Sequence, residues 1–455
     1  MKNLKAKLFF INLKKHCFYA LKSRSFIFSF LVFFLFYFCQ DSFKSKYPIF
    51  SDSFISQSLN YDARLTIKFV KDVTKKVKDD FFAKISFSPI VYDIFGYDIA
   101  EYNKESHIVG SDIKIVVDNI LKGSNIKFIK YNIEARFYGL HNAVENTQNN
   151  IIHNDIYKED RFLKIRQAVN FIKQNKIKFK KQGIVVVDSA PDFTHPNLEN
   201  RLKHHNNKPI HWLSRSLKSN KVVDIHGTSI SCLASGYRYK KWFGDSYILP
   251  LIINFGKSYL SDIAIGLKYF NKLEKDGIIK FSVVNMSFIS NADLSILYDA
   301  IKSMNNKLFV VAAGNVFGEV RGILDSLDII NVYPAKWQLK NKITVGAMNS
   351  FGLVSNISLI SKHFVDIIAP GENVESCIPL SNESLYEKIA GTSASTAIVS
   401  WVANMLFSMN SKLSVNEVKT ALFLGAKKNK YLSNMVKEGR VLNVCNSLKY
   451  IRLAK

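Results

Sequence analysis

Short apolar runs alternate with amphipathic segments through the C-terminal part of the chain, and this alternation limits the fold more than any other feature. Strand-like runs occupy residues 183–188, 247–254, 282–288, 307–313, 343–346 and 365–371. Helix-like segments lie between them, at residues 262–275 and 294–304. Runs that are apolar throughout are typical of strands buried on both faces of a parallel sheet. The alternation therefore predicts an α/β fold, with a mostly parallel central sheet and helices on both faces.

A carboxylate and an imidazole stand at positions where such a fold places chemistry. Asp188 ends the first strand-like run, and open α/β sheets place their sites at the carboxyl ends of their strands. His226 opens a helix of small residues, where it can take a proton from a hydroxyl while a carboxylate holds its other nitrogen. Each residue also has a structural interpretation, Asp188 as a turn cap and His226 as part of the packing.

The segment Gly-Thr-Ser-Ala-Ser-Thr at residues 391–396 leads directly into a long apolar run of helical length. This pattern predicts a turn that delivers Ser393 to the first turn of a buried helix. Unpaired N–H groups and the positive end of the helix dipole lie there, and both stabilise an oxyanion that forms when a serine attacks a carbonyl. Taken alone, Ser393 could equally be an ordinary helix cap.

Five short motifs occur together in one order along the chain. They are Val-Asp-Ser at 187–189, His-Gly-Thr at 226–228, Asn-Met-Ser at 285–287, Ala-Ala-Gly-Asn at 312–315 and Gly-Thr-Ser at 391–393. In this set and order the chain resembles the subtilisin-like serine proteases, over about residues 183–448; subtilisin has the same order of Asp, His and Ser. The resemblance implies a three-layer fold with a small additional N-terminal α+β region. It also implies a serine endopeptidase that works through an acyl-enzyme.

The resemblance assigns a role to each motif residue. Ser393 is the implied nucleophile, His226 the general base and then acid, and Asp188 the group that holds the imidazole. Asn315 is the implied side-chain donor to the oxyanion, together with the backbone N–H of Ser393. Two segments are implied to flank the substrate: Ser287, Phe288 and Ile289, and Ala312, Ala313 and Gly314. An extended peptide would pair its backbone with the first of them by strand addition.

Several positions depart from the family pattern. Ala190 replaces the glycine after the Asp motif, and Ala397 replaces the proline after the nucleophile. Ile289 replaces a glycine at the rim of the peptide groove, which predicts a narrowed or reshaped substrate site. These departures leave open a catalytically silent relative that binds peptides through the same groove. An esterase of the α/β-hydrolase type is disfavoured, because the Ser393 motif is not Gly-x-Ser-x-Gly and the residue order differs.

Residues 1–39 are interpreted as a signal peptide or membrane anchor. Seven lysines and arginines in the first 25 residues precede an apolar run at 26–38, and Cys39 then resembles a lipoprotein cysteine, although bulky aromatic residues precede it. Signal anchor and lipidated signal both remain open. Either one predicts an exported protein that is anchored in a membrane, at the cell surface or periplasmic face, or secreted after cleavage.

The rest of the N-terminal half is divided into two parts. Residues 40–145 are an N-terminal region and a candidate pro-segment, with strand-like text at 65–70, 113–117 and 126–129. In a pro-segment, residues 121–129 would hold the last strand; an independent α+β domain and a plain extension are the alternatives. Residues 146–182 are a linker with a lead-in helix at 161–174, and 183–455 are the peptidase domain.

The composition argues against some classes of partner but indicates no function by itself. The formal net charge is +26, but the lysines are scattered without an arginine-rich block, so a Lys/Asn/Ile-rich genome explains them better than a nucleic-acid partner. The five cysteines match neither a disulfide framework nor a metal-ligand spacing. We therefore expect a polypeptide substrate, a membrane contact through the N-terminal segment, no nucleic acid and no cofactor. The family resemblance leaves calcium possible, but the sequence shows no acidic cluster that locates it.

Overall fold

The computed structural model describes residues 63–85, 87–102, 110–123, 126–134, 158–215, 217, 223–254, 258–316, 326–382 and 384–453. The predicted signal or anchor segment, with Cys39, lies outside these residues. All of the described residues belong to one compact unit, Ser56–Lys455. Within them, every helix falls short of the length and apolar character needed to cross a membrane.

The N-terminal region forms a small antiparallel sheet of its own, as the α+β prediction requires. Its strands, in the spatial order β2-β3-β1-β4, are β1 (Arg64–Phe69), β2 (Phe87–Ile94), β3 (Tyr97–Tyr102) and β4 (Phe128–Glu134). Two helices join them, α1 (Lys75–Lys84) between β1 and β2 and α2 (Gly110–Gly123) between β3 and β4. Leu65, Ile67, Phe81 and Phe82 fill its core, so the strand predicted at residues 65–70 is confirmed.

The strand predicted at residues 113–117 was wrong, and the last strand, predicted at residues 121–129 with strand-like text at 126–129, begins later than predicted. Residues 113–117 lie in α2, not in a strand, and residues 121–123 end that helix, so β4 begins only at Phe128. The β-branched text suggested a strand, but Val117, Ile120 and Leu121 all pack into the core of the N-terminal sheet, and this i, i+3, i+4 spacing is that of one face of a helix.

The lead-in helix predicted at residues 161–174 is two helices. They are α3 (Lys158–Leu163) and α4 (Ile165–Gln174), separated by Lys164 in the left-handed region at φ 60°. Leu163 and Ile165 are both buried, and residues two apart point in different directions along one continuous helix. The break at Lys164 lets both side chains reach the core.

The C-terminal part is built on a nine-stranded sheet in the order β16-β17-β13-β12-β11-β10-β5-β9-β8. The strands after β4 are β5 (Gln182–Asp188), β6 (His204–His205), β7 (Lys208–Pro209), β8 (Trp212–Leu213), β9 (Ser246–Ile252), β10 (Phe281–Met286), β11 (Leu308–Ala312), β12 (Lys342–Met348), β13 (Ile367–Pro370), β14 (Val374–Cys377), β15 (Tyr386–Ile389), β16 (Lys427–Lys428) and β17 (Arg440–Val441). From β13 through β8 all neighbouring strands are parallel. The mostly parallel central sheet is therefore confirmed.

Helices cover both faces of this sheet. After α4 they are α5 (Pro196–Glu199), α6 (Ile225–Ser235), α7 (Lys240–Phe243), α8 (Leu260–Lys275), α9 (Ser295–Ser303), α10 (Thr392–Met409), α11 (Val415–Gly425) and α12 (Val444–Leu453). Ile184 and Val186 of β5 face a core that includes α6 and α10, whereas Val185 and Val187 face a core that includes α8 and α9. This alternation along a strand buried on both faces produces the predicted three layers.

The interpretation of the cysteines was wrong, because two of them form a disulfide. Cys232 of α6 and Cys377 of β14 form a disulfide across 145 residues of sequence, while Cys445 is free and buried. The pair joins α6, which carries His226, to the β14–β15 hairpin, which ends two residues before Gly391. A spacing rule designed for small disulfide-rich domains cannot detect one bridge made by tertiary folding.

Candidate active site

Asp188 and His226 are joined directly. Asp188 ends β5 and is buried, and His226 lies in the first turn of α6 with Nδ1 2.7 Å from Asp188 Oδ1. The same carboxylate oxygen accepts a hydrogen bond of 2.8 Å from the backbone N–H of Ser189. A carboxylate acceptor at Nδ1 fixes the proton there, so Nε2 is the basic nitrogen of the neutral ring.

The environment of His226 favours its protonated form. Burial of the ring lowers its pKa, but the adjacent Asp188 carboxylate, through its charge and its hydrogen bond, raises it, and the charge of Asp224 adds to this. The net result is a pKa above the ordinary value of 6.5. An imidazole held in this way is a stronger base than a free histidine and stabilises the imidazolium it forms.

Ser393 lies at the start of the long buried helix α10, as the sequence predicts. The N-cap is Gly391, whose φ of 139° favours glycine, and Ser393 is partly exposed while its neighbours Thr392 and Ala394 are buried. Its hydroxyl donates to the carbonyl oxygen of Ser287 over 3.1 Å, and the Ser287 hydroxyl donates to the Ser393 carbonyl over 3.0 Å. The turn that carries Ser393 is thus tied to the segment that follows β10.

Asn315 is tied to the same turn from the other side. Its Oδ1 accepts hydrogen bonds of 2.9 Å from both the backbone N–H and the hydroxyl of Thr392. Because Oδ1 faces Thr392, the orientation of the amide is fixed, and Nδ2 lies 3.1 Å from where a Cβ on Gly391 would stand. An amide donor beside the turn of a candidate nucleophile is suitably placed for an oxyanion that forms there.

The strand register brings the predicted residues to one edge of the sheet. Met286 of β10 pairs with both Val187 of β5 and Val311 of β11, so the next residues on these strands, Asp188, Ser287 and Ala312, end at the same level. Hydrogen bonds join the candidate residues in two groups. Asp188 binds His226, and Ser393 binds Ser287 while Asn315 binds the neighbouring Thr392. Phe288, Ile289, Ala312 and Ala313 are buried beside the second group.

Sequence reasoning missed a polar network that holds the Asp and His elements together. The Ser189 hydroxyl donates to Asp224, the N-cap of α6, over 2.8 Å, and accepts from the N–H of Gly227 over 3.0 Å. A Cβ on Gly227 would lie 2.1 Å from the Ser189 carbonyl oxygen, so only glycine allows this approach. The Asp two residues before His226 was the available signal, because Asp is a preferred N-cap. Ala190 is accommodated here, buried, with its carbonyl accepting from the Asp224 N–H.

One group of side chains among the described residues has metal-ligand spacing: His195, Cys232 and Cys377. Two of the three ligand atoms are the sulfurs of the disulfide. Calcium prefers oxygen ligands, so this nitrogen and sulfur set does not fit the calcium that subtilases commonly bind.

The chain belongs to the subtilase family, whose model matches residues 180–439, more than half of the chain. Its fold and family are those of serine proteases. Subtilisin-like protease 3 of Plasmodium falciparum (isolate 3D7) is 30% identical over 250 residues, which cover 50% of this chain and 31% of that protein. The major intracellular serine protease of Bacillus subtilis (strain 168) is 32% identical over 146 residues, covering 30% of this chain and 42% of that protein.

Solved structures agree on the fold. Fervidolysin from Fervidobacterium pennivorans, described as a keratinolytic enzyme related to subtilisin, superposes with a TM-score of 0.65 at 15% identity, over 86% of this chain and 61% of that one. The chain spans less than half the length of the two curated relatives described above. What those proteins do as wholes is therefore no direct measure of this one.

Proposed function

We propose that this protein is an exported serine endopeptidase that hydrolyses peptide bonds through Asp188, His226 and Ser393. The observation that carries the proposal is the hydrogen-bonded Asp188–His226 pair at the sheet edge where the Ser393 turn is also anchored. The raised pKa of His226 supports its role as base, because the ring binds the hydroxyl proton more strongly than a free imidazole does.

The proposed reaction has two halves. On substrate binding the Ser393 hydroxyl turns from the Ser287 carbonyl towards His226 Nε2, gives up its proton there and attacks the peptide carbonyl carbon. Asn315 Nδ2 and the Ser393 backbone N–H donate to the oxyanion, and His226 then protonates the leaving amine. Water, deprotonated by the same imidazole, releases the acyl group and regenerates the serine.

The N-terminal region is proposed to be a pro-segment within residues 40–145, joined by a linker at 146–182 to a peptidase domain at 183–455. The support is its docking: Ile94, Tyr97 and Ile99 of the small sheet share a core with α8 and α9 of the peptidase part. A separate fold that packs on the outside of a catalytic layer can be removed without breaking the layer's own sheet.

Export is proposed from two features. The basic and apolar N-terminal segment has the pattern of a signal or anchor, which would also supply the membrane contact, through the segment or a lipid on Cys39. The buried Cys232–Cys377 disulfide supports it, because such bonds persist in oxidising compartments. The proposed partner is a polypeptide substrate, with no nucleic acid and no cofactor; a calcium site stays a prediction without a location.

Labelling by a fluorophosphonate tests the proposal. The full-length protein is treated over a time course long enough for self-processing, and the modified peptide is located by mass spectrometry. We expect labelling of wild type, none of Ser393→Ala, and unchanged labelling of Ser433→Ala, whose exposed hydroxyl only donates to the Lys430 carbonyl. A folded wild-type protein that stays unlabelled would favour the silent peptide-binding alternative.

A further inference from the structure

Two segments lie beside the Ser393 turn: residues 287–289, which follow β10, and residues 312–314, at the end of β11. The side chain of Ile289 fills the gap between them. Ile289 follows β10 and Gly314 follows β11, and Ile289 is only 4% exposed. A Cβ placed on Gly314 would lie 3.0 Å from Cδ1 and 3.2 Å from Cγ2 of Ile289, and 2.9 Å from Cδ1 of Leu359. The Ile289 side chain therefore crosses from one segment and packs against the backbone of the other.

Backbone hydrogen bonds hold both sides of this gap. Next to Ile289, Ser290 and Tyr333 exchange N–H to carbonyl bonds of 2.8 and 2.7 Å. On the other side, the Gly314 carbonyl accepts from the N–H of Leu359 over 2.8 Å, and its own N–H donates to Thr392 over 3.2 Å. Widening the gap would break bonds in a buried setting, which is costly, so Ile289 cannot move aside by a simple shift of either segment.

The position of the gap determines what it would receive. Ser287 belongs to one segment and Asn315 follows the other, and both contact the Ser393 turn. They lie on either side of the point where a carbonyl would be attacked. The residue that owns that carbonyl has its Cα one bond away, close enough for its side chain to enter the space between the segments. Ile289 already occupies that space.

We propose that Ile289 restricts the residue before the scissile bond to a small side chain: glycine, alanine or serine. This inference rests on the proposed peptidase function and gives its substrate class. A large side chain would have to displace a packed branched residue from between two fixed backbones, and an overfilled pocket rejects substrate strongly. One methylene too many in a pocket already changes the specificity constant by about 10–200-fold.

The test is a series of fluorogenic peptides that differ only at the residue before the cleaved bond, with glycine, alanine, leucine or phenylalanine there. For wild type we expect kcat/KM for alanine to exceed that for phenylalanine by about a hundredfold or more. Ile289→Gly should raise cleavage of the leucine and phenylalanine peptides and lower the preference at least about tenfold. Ile289→Val is the matched control, because it stays branched and should keep the preference.

Fluorophosphonate labelling of Ser393 and the unfolding temperature separate the possible failures. Two results would overturn the inference and leave the peptidase function standing. In the first, Ile289→Gly is labelled like wild type and keeps the wild-type preference. In the second, wild type cleaves all four peptides equally. Wild type that neither labels nor cleaves overturns the proposed function and the inference with it. If Ile289→Gly does not fold, Ile289→Ala takes its place and must show the same shift in the same direction.

Discussion

The two sheets of this molecule are stabilised in different ways. The nine-stranded sheet is buried between two helical layers, and its central strands are apolar on both faces. The N-terminal sheet has a small aromatic core, in which the rings of Phe69, Phe81 and Phe82 pack edge to face or tilted, 5.6–6.1 Å apart. Its own helices cover the nine-stranded sheet on both faces, and Ile94, Tyr97 and Ile99 of the N-terminal sheet add to one of these cores. The N-terminal sheet has its own helices on one face only.

The attachment between them is partly ionic. Arg64 of β1 is completely buried, and its guanidinium donates to Asp262 over 2.7 Å, to Ser261 over 2.9 Å and to Glu101 over 2.6 Å. The buried carboxylate of Glu134 accepts from the N–H of Ser261 at the start of α8, over 3.1 Å. A carboxylate at a helix N-terminus also interacts favourably with the helix dipole.

A second polar contact lies at α9. Asp299 accepts from the Tyr97 hydroxyl over 3.0 Å and lies 3.0 Å from Lys130 and 3.5 Å from Lys68, all three on the N-terminal sheet. Polar groups of this kind find partners in water when the surfaces separate, but an apolar core does not. We therefore expect the catalytic part, which is built on the nine-stranded sheet, to keep its structure when the N-terminal sheet detaches. The four predictions that follow test this contrast.

The largest effect is expected within the catalytic part alone. Asp188→Asn should lower kcat by about 10⁴-fold, because the imidazole loses the acceptor that sets its tautomer. In wild type the raised pKa of His226 places the acid limb of kcat/KM above pH 6.5, with activity rising as the ring loses its proton. Steady-state kinetics across pH checks both, and hydrogen exchange in β1–β4 should be unchanged, whereas lost protection there would mean that the two parts are not independent.

Arg64→Ala should act on the attachment and not on the chemistry. It leaves Asp262 buried without its cation, and breaking a buried ion pair costs about 3–5 kcal/mol. We expect amides of β1–β4 to lose hydrogen-exchange protection while β10–β12 keep theirs. Lys68→Ala is the matched control: its ion pair is part-exposed and worth about 1 kcal/mol or less, so equal effects of the two variants would contradict the contrast.

Loss of the disulfide should destabilise the catalytic part more than the N-terminal sheet, the opposite of what Arg64→Ala should do. Replacing Cys232 and Cys377 with alanine removes a bridge that closes 145 residues, and the free energy of unfolding of the catalytic part should fall by about 2–5 kcal/mol. Denaturant unfolding measures the change, with Cys445→Ala as a control for substituting a buried cysteine. Hydrogen-exchange protection that is higher in β1–β4 than in the destabilised catalytic strands would agree with this prediction. An unfolding curve equal to that of the Cys445→Ala control would contradict it.

The smallest expected effect is a pH dependence of the attachment. Burial raises the pKa of Glu134 to about 7, against the opposing charge of Arg64, so the attached state binds a proton between pH 4.5 and 7 that the detached state does not. Attachment is therefore strongest in acid and weakens as pH rises through about 7, by about a hundredfold at most between pH 5 and 8. Hydrogen exchange of β1–β4 measures it, and Glu134→Gln should flatten the dependence; a wild-type attachment that strengthens with pH would contradict the sign.

The sequence allowed prediction of the catalytic part because its signals are local. Strands apolar on both faces need no partner to be recognised, and Asp188, His226 and Ser393 each lie within a short motif at an element's end. The prediction for residues 113–117 failed for the converse reason. Local preference favours a strand for their β-branched side chains, and tertiary packing overrides that preference.

Long-range pairings could not be predicted. Nothing near Cys232 or Cys377 indicates a bond across 145 residues, and nothing near Arg64 indicates that an arginine in a strand is fully buried against Asp262. The filling of the gap by Ile289 lies between these cases. The residue was visible as a departure, but only the structure places its side chain against Gly314.

The central claim is that Ser393 is activated by the Asp188–His226 pair. The most direct measurement is the rate at which a fluorophosphonate modifies Ser393, followed by mass spectrometry of the Ser393 peptide, in wild type and in His226→Ala. We predict rapid modification of Ser393 in wild type and a rate lower by about three powers of ten or more in the variant. Modification at another serine, or an equal rate in the two proteins, would contradict the account.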